Sequence, residues 1–375
     1  MNTDDGRTMG VEEEFFLVDP TGRLVTRAEQ ALARADDEVD VKPELMRCQV
    51  ESATGICRTA QELRDELTAL RTTLHEGATA TGARLVASGT VPHRQHGAPM
   101  VGPGSRYQRM AEMVGPIVFG GMTCGCHVHI GVSDRADAVR VCNHLRPWSP
   151  VLLALSANSP FHDGTDSGYA STRHLQWSRW PCAGPTPYLE SPEHYEELVT
   201  ALLSSGAALD RKMVYWDVRP SELQPTVEVR VADVQTTVDE AVLLGILVRA
   251  LVARALDNLS TPAPRIPTAV IRAGMWRAAK DGLEGKVPDP TTGETRPTRD
   301  ILADLFHDLG PDAAEVKSTM DYLRETGGGA HRQRRAFGQR QRLDDVLNAV
   351  TWTGKEGKEG KEGKEGKEGK EGKEP

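Results

Sequence analysis

The stretch Thr123-Cys124-Gly125-Cys126-His127-Val128-His129-Ile130-Gly131-Val132 decides how this chain is read. Two cysteines and two histidines so close together suggest a zinc site, but the alternation argues otherwise. In a β-strand, residues i and i+2 share a face. Cys124, Cys126, Val128 and Ile130 then fall on one side, and Gly125, His127, His129 and Gly131 on the other. The cysteines and histidines cannot share one tetrahedral ion unless the strand breaks. The expectation is a strand with an apolar face toward a core and a histidine-bearing face toward a ligand.

Three further segments carry the same split: Val11 to Asp19, Cys48 to Thr54 and Thr226 to Val234. In the last, Val227, Val229 and Val231 face a core while Glu228 and Arg230 face the other way. In the first, within Gly10-Val11-Glu12-Glu13-Glu14, alternation sets Glu12 beside Glu14 and sends Glu13 to the opposite side. Two carboxylates about 4 Å apart repel by roughly 4 kcal/mol at an effective dielectric near 20, so such a pair invites a cation, an arginine or a proton. Hard oxygen ligands favour Mg²⁺ or Mn²⁺. Pro43-Glu44 and Gln49-Val50-Glu51 add two more acids and an amide. Arg230 beside such acids suits chemistry on phosphate, because a planar guanidinium matches phosphoryl oxygens. Tyr215-Trp216-Asp217-Val218-Arg219-Pro220 offers a second arginine on an alternating segment.

Helical periodicity is strongest from Thr59 to about Gly82, where Thr59 and Glu62 form a capping box and Leu63, Leu67, Leu70 and Leu74 make one apolar stripe. Further helices are expected at about Ala138 to Ala157, Glu193 to Asp210, Val238 to Asn258 and Asp300 to Leu309. Strands interleaved with helices, without a βαβ repeat or a glycine-rich dinucleotide fingerprint, predict an α+β fold. A mostly antiparallel sheet with helices on its apolar face and a cleft on its polar face satisfies all four segments.

The chain has 375 residues, 26% of them charged, and a formal net charge of -9. That acidity argues against nucleic acid as a partner. The most apolar segment, Ala241 to Leu259, is interrupted by Arg249, Arg254 and Asp257, which argues against a membrane span. Six scattered cysteines and no signal-peptide pattern in Met1 to Gly10 point to a reducing, cytoplasmic setting. Gly354 to Glu374 is seven Gly-Lys-Glu triplets, self-neutralised, and is expected to be a disordered tail through Pro375 behind a single catalytic domain over residues 1–353. No Walker A motif is present, since Gly282-Leu283-Glu284-Gly285-Lys286 has the wrong spacing. The Gly102 to Tyr107 loop and the basic His331 to Arg342 stretch are alternative anion contacts, with solvated surface the simpler reading of each.

Taken in order, these motifs resemble the type 2 glutamate-cysteine ligases, or carboxylate-amine ligases, over about Gly10 to Thr351. The resemblance implies a fold similar to the catalytic sheet of glutamine synthetase, a curved antiparallel sheet forming a funnel around Mg²⁺ and ATP. It implies Glu12, Glu14, Glu51 and Glu228 as metal ligands, with Glu44 in addition, and His127 and Arg230 near the phosphates. Arg219 and Arg173 would bind a substrate carboxylate, with His129 and Gln49 also contacting substrate or ATP. The implied reaction joins the γ-carboxylate of L-glutamate to L-cysteine or a related amine through an acyl phosphate. Such a reaction needs no protein nucleophile, in keeping with the lack of a Ser-His-Asp or Cys-His arrangement. Competing readings are a ligase for another carboxylate and amine, a catalytically silent nucleotide-binding homologue and a metal-dependent hydrolase. Partners are expected to be small molecules, and a homo-oligomer remains open.

Overall fold

A computed structural model describes residues 7–36, 39–95, 100–309 and 312–354. The expectation for the Gly-Lys-Glu tail, from Lys355 onward, lies outside the described residues, as does most of Met1 to Gly10. Eleven strands are present among those described: β1 (Met9–Val18), β2 (Val41–Pro43), β3 (Gln49–Ala53), β4 (Arg84–Val86), β5 (Gly125–Gly131), β6 (Phe161–His162), β7 (Thr165–Asp166), β8 (Val218–Pro220), β9 (Thr226–Asp233), β10 (Lys286–Pro288) and β11 (Thr295–Pro297). Seven of them form one sheet in the order β2-β3-β1-β5-β9-β8, with β4 also pairing with β1. Every pairing is antiparallel. The remaining four make two small ribbons.

All four expected segments are strands of this sheet, and their apolar faces point to one core. Val11, Cys124, Cys126, Val128, Ile130, Val227, Val229 and Val231 are all buried. Two long helices, Ala60–Ala80 and Val238–Asp257, pack against that side, and each opens with a capping box, Thr59 with Glu62 and Thr237 with Glu240. Leu63, Leu67, Leu70 and Leu74 are buried as the stripe predicts, each worth about 2 kcal/mol of burial. Gly245 lets the two helices approach closely, since a Cβ there would stand 2.8 Å from Leu63 Cδ2. Glu13, directed to this side by alternation, meets Arg71 in a fully buried bidentate pair at 2.6 and 2.8 Å.

Several helices depart from expectation. The single helix expected over Ala138 to Ala157 is two, Arg135–Leu145 and Ser149–Ser156, joined by a 3-10 turn at Arg146–Trp148. Pro147 and Pro150 supply the reason, because each lacks the N–H that an unbroken helix needs. The helix expected to reach Asp210 ends at Ser204, ahead of Gly206 at φ +75°. Helices Ser105–Val114, Thr268–Asp281, Asp312–Thr326, Gly329–Arg340 and Leu343–Val350 were not expected as such. The first begins inside the Gly102 to Tyr107 loop, and the fourth carries most of the His331 to Arg342 stretch. A second apolar cluster, including Met46, Met110, Trp180 and Tyr215, borders the polar face, where Tyr215 lies beneath the Arg230 guanidinium. Among the described residues no helix is long and apolar enough to cross a membrane.

Candidate active site

The register turns the alternation of single strands into rows across the polar face. Glu12 of β1 pairs with His127 of β5, and Glu14 with Glu51 of β3. His129 of β5 pairs with Glu228 of β9, which in turn pairs with Arg219 of β8. A register shift between Cys126 and Val128 brings β9 past β5 without disturbing the histidine face.

Glu12, His129 and Glu228 converge, with one ligand atom from each lying within 4.8 Å of the others. Glu12 Oε1 is 3.6 Å and Glu228 Oε1 3.9 Å from His129 Nε2. His129 Nδ1 is 3.0 Å from the Thr226 hydroxyl, and its Nε2 is buried without a hydrogen-bond partner. In the tautomer that donates Nδ1–H to Thr226, the Nε2 lone pair would face the space between the two carboxylates, where a bound cation would take the place of a proton. Two carboxylates and one imidazole fit a divalent cation such as Mg²⁺ or Mn²⁺. The sequence reading assigned His129 to substrate or ATP, whereas the structure sets it inside the acidic cluster.

The two histidines are tuned in opposite directions. Burial disfavours a charged His129, yet the neighbouring Glu12 and Glu228 carboxylates overcome it and raise its pKa. His127 lies 3.3 Å from Glu12, but burial and then the Arg230 charge hold its pKa down. Burial opposes ionisation of Glu12 as well, but His127 and His129 beside it hold its carboxyl well below the usual range. Glu228 is likewise kept ionised, against burial, by Arg230 and Arg219.

Glu14 accepts the Gly125 N–H at 2.7 Å. Glu51 is buried, 3.1 Å from Lys42, and its pKa is pushed well up by burial and by the charges of Glu44 and Glu12. Glu44 in turn accepts from the Tyr107 hydroxyl at 3.3 Å. A carboxylate crowded in this way is stabilised by a cation. The five acids named from the sequence thus lie along one face, three of them, Glu14, Glu44 and Glu51, just beyond the tightest cluster.

The remaining residues sit differently. Arg219 is engaged by Glu228 at 2.8 Å and by the carbonyls of Lys212 and Val214 at 3.0 and 2.6 Å, so it clamps Glu228. Arg230 also pairs with Glu228. Gln49 is fully buried and donates to the Thr123 carbonyl at 2.8 Å, bracing the start of the β5 segment. Arg173 lies over Gly125, where a Cβ would come 2.2 Å from its Nη2, and is held by the Val231 and Arg230 carbonyls. Asp217, Lys42 and Tyr107 were not named as site residues; Asp217 shares the alternation of Arg219 and was legible in that pattern. A cleft of about 1120 Å³, lined by Asp166, Lys280, Lys286 and Arg334 among others, includes none of these residues.

The family model for "Glutamate-cysteine ligase family 2" matches residues 8–349. A relative from Rhodococcus jostii named "Putative glutamate--cysteine ligase 2-1" is 44% identical over 360 residues, covering 93% of this chain and 97% of its own. One of the same name from Saccharopolyspora erythraea is 46% identical over 350 residues, covering 92% and 93%. The crystal structure of a glutamate--cysteine ligase from Francisella tularensis in complex with AMP superposes with a TM-score of 0.70 at 13% identity, over 92% of this chain and 87% of that one. A bifunctional glutathione synthetase from Pasteurella multocida gives 0.68 at 15% identity, over 92% and 51%. The sheet, its acidic polar face and relatives this similar over nearly their whole length together mean that the chain is a ligase and belongs to glutamate-cysteine ligase family 2.

Proposed function

We propose that residues 1–353 act as one catalytic unit that uses ATP to join the γ-carboxylate of L-glutamate to the amine of L-cysteine or a close relative. The observation that carries this reading is the convergence of Glu12, His129 and Glu228 beside Arg230 on the polar face of the sheet. Glu12, His129 and Glu228 would hold Mg²⁺ or Mn²⁺, with Glu14, Glu51 and Glu44 beside them; the cation supplies charge neutralisation at the phosphates. A carboxylate is a poor acyl donor, so the substrate carboxylate attacks the γ-phosphorus of ATP, giving an acyl phosphate and ADP. The amine then displaces phosphate. Arg230 stabilises charge on the transferring group, and neutral His127 beside it orients a phosphoryl oxygen. Arg219 keeps Glu228 ionised and in place, and Gln49 holds the strand that carries both histidines. Arg173, over Gly125 and with its Nε unpartnered, would take the substrate carboxylate.

Full-length protein with ATP, Mg²⁺, L-glutamate and L-cysteine should release ADP and phosphate only when both amino acids are present. Glu12→Ala should reduce that rate by at least about 100-fold, and excess chelator should abolish it. Mass spectrometry with a panel of carboxylates and amines identifies the preferred pair. Failure of every pair to stimulate ATP turnover, together with a silent Glu12→Ala substitution, would overturn the reading.

A further inference from the structure

Asp217 ends a row that crosses the polar face from Glu12 through His127 and Arg230. The Arg230 N–H donates to the Asp217 carbonyl at 2.9 Å, and Val218 pairs with Val229, which puts Asp217 on the same side as Arg219 and Arg230. Its side chain is buried, and Oδ2 has no hydrogen-bond partner. The charged groups that face it are Arg173, from the Thr172–Trp177 helix, and Arg230, from β9. Neither forms an ion pair with it: Arg230 pairs with Glu228, and Arg173 stands 4.0 Å from Asp233. The Nε of each arginine is also buried without a partner.

Two unfilled donors and one unfilled acceptor therefore lie in one neighbourhood without satisfying one another. Buried polar groups are nearly always paired, so such a set marks a place for a ligand bearing both charges.

We propose that Asp217 is the catalytic base of the second half-reaction, receiving a proton from the ammonium of the incoming amine next to the acyl phosphate. This role rests on the ligase reading above. The ammonium gives one proton to the Asp217 carboxylate and becomes a neutral amine. Its lone pair forms the C–N bond, and the C–O bond to phosphate breaks with its electron pair leaving on phosphate. Phosphate takes the second nitrogen proton, and Asp217 returns its own to solvent. Burial pushes the Asp217 pKa up to about 7, against the pull of Arg173 and Arg230, which suits a base working near neutrality.

The test separates the two half-reactions in the full-length protein. Hydroxylamine is largely neutral at pH 7 and needs no base, so L-glutamate, ATP and hydroxylamine report acyl phosphate formation as hydroxamate. L-Cysteine in its place reports the complete reaction. Asp217→Asn should keep hydroxamate formation near the wild-type rate while losing at least about 100-fold in amide formation. The residual amide rate should climb about fivefold between pH 7 and 8, as the free amine fraction grows, where the wild type rises by no more than about twofold. Asp217→Glu, which restores a carboxylate, should recover part of the amide rate. Equal loss of both products, or loss of neither, overturns the role. Wild-type protein that makes neither product overturns the ligase reading, and this role with it.

Discussion

At the scale of single residues, burial and neighbouring charges shift the pKa values of several groups on the polar face, among them Glu12, Glu51, His127, His129, Asp217 and Glu228. Asp217 has the clearest consequence. Its folded pKa of about 7 lies above the ordinary aspartate value of 3.8, so between those pH values the folded state holds a proton that the unfolded chain has released. Stability is then full below about pH 4 and falls as pH rises through 7. Asp217→Asn removes that penalty. Its Tm should exceed the wild-type value at pH 8, and the gap should narrow below pH 7 and close by about pH 4 when both are followed by thermal unfolding without ligand. A gap that is independent of pH would mean that Asp217 is an ordinary ionised carboxylate.

At the scale of elements, β5 is the point where packing and chemistry meet. Cys124, Cys126, Val128 and Ile130 bury one face in the core, while His127 and His129 rise from the other. Gly125 belongs to the second face and keeps it open for Arg173. Gly125→Ala would drive a methyl group into Nη2 of that arginine, which is itself held by backbone carbonyls. Overpacking of this kind costs about 1–3 kcal/mol. We expect a Tm loss of that size together with a fall of at least about tenfold in amide formation, measured on protein whose circular dichroism is unchanged. Full activity in the variant would remove Arg173 from the site.

At the scale of the whole molecule, the chain closes on itself beside β1. Trp352 N–H donates to the Leu85 carbonyl at 2.9 Å, Thr351 bridges Val86, and the Trp352 ring lies 5.3 Å from the Arg71 guanidinium. Arg71 holds Glu13, the carboxylate directly between Glu12 and Glu14, so the C-terminal end braces the strand that carries two of the acids. Truncation after Thr353 should leave Tm and ligase activity unchanged, since seven lysines balance seven glutamates in the segment removed. Truncation after Val350 should lower both, read by thermal unfolding and phosphate release.

That closure also marks the limit of what could be read along the chain. Alternation alone set Glu12 and Glu14 on one face with Glu13 opposed, separated the cysteines from the histidines, and put Glu228 and Arg230 together, because a strand's period of two is a local property. The Thr59 capping box and the leucine stripe were equally local. The sequence by itself determined four strands of the sheet, their faces and the acidic character of the site. Only the tertiary structure decided that His129 joins Glu12 and Glu228, that Arg219 clamps a carboxylate, and that Asp217 is left buried and unpaired beside two arginines. These relations depend on register between strands far apart in the chain, and on what burial does to each charge once the sheet has assembled.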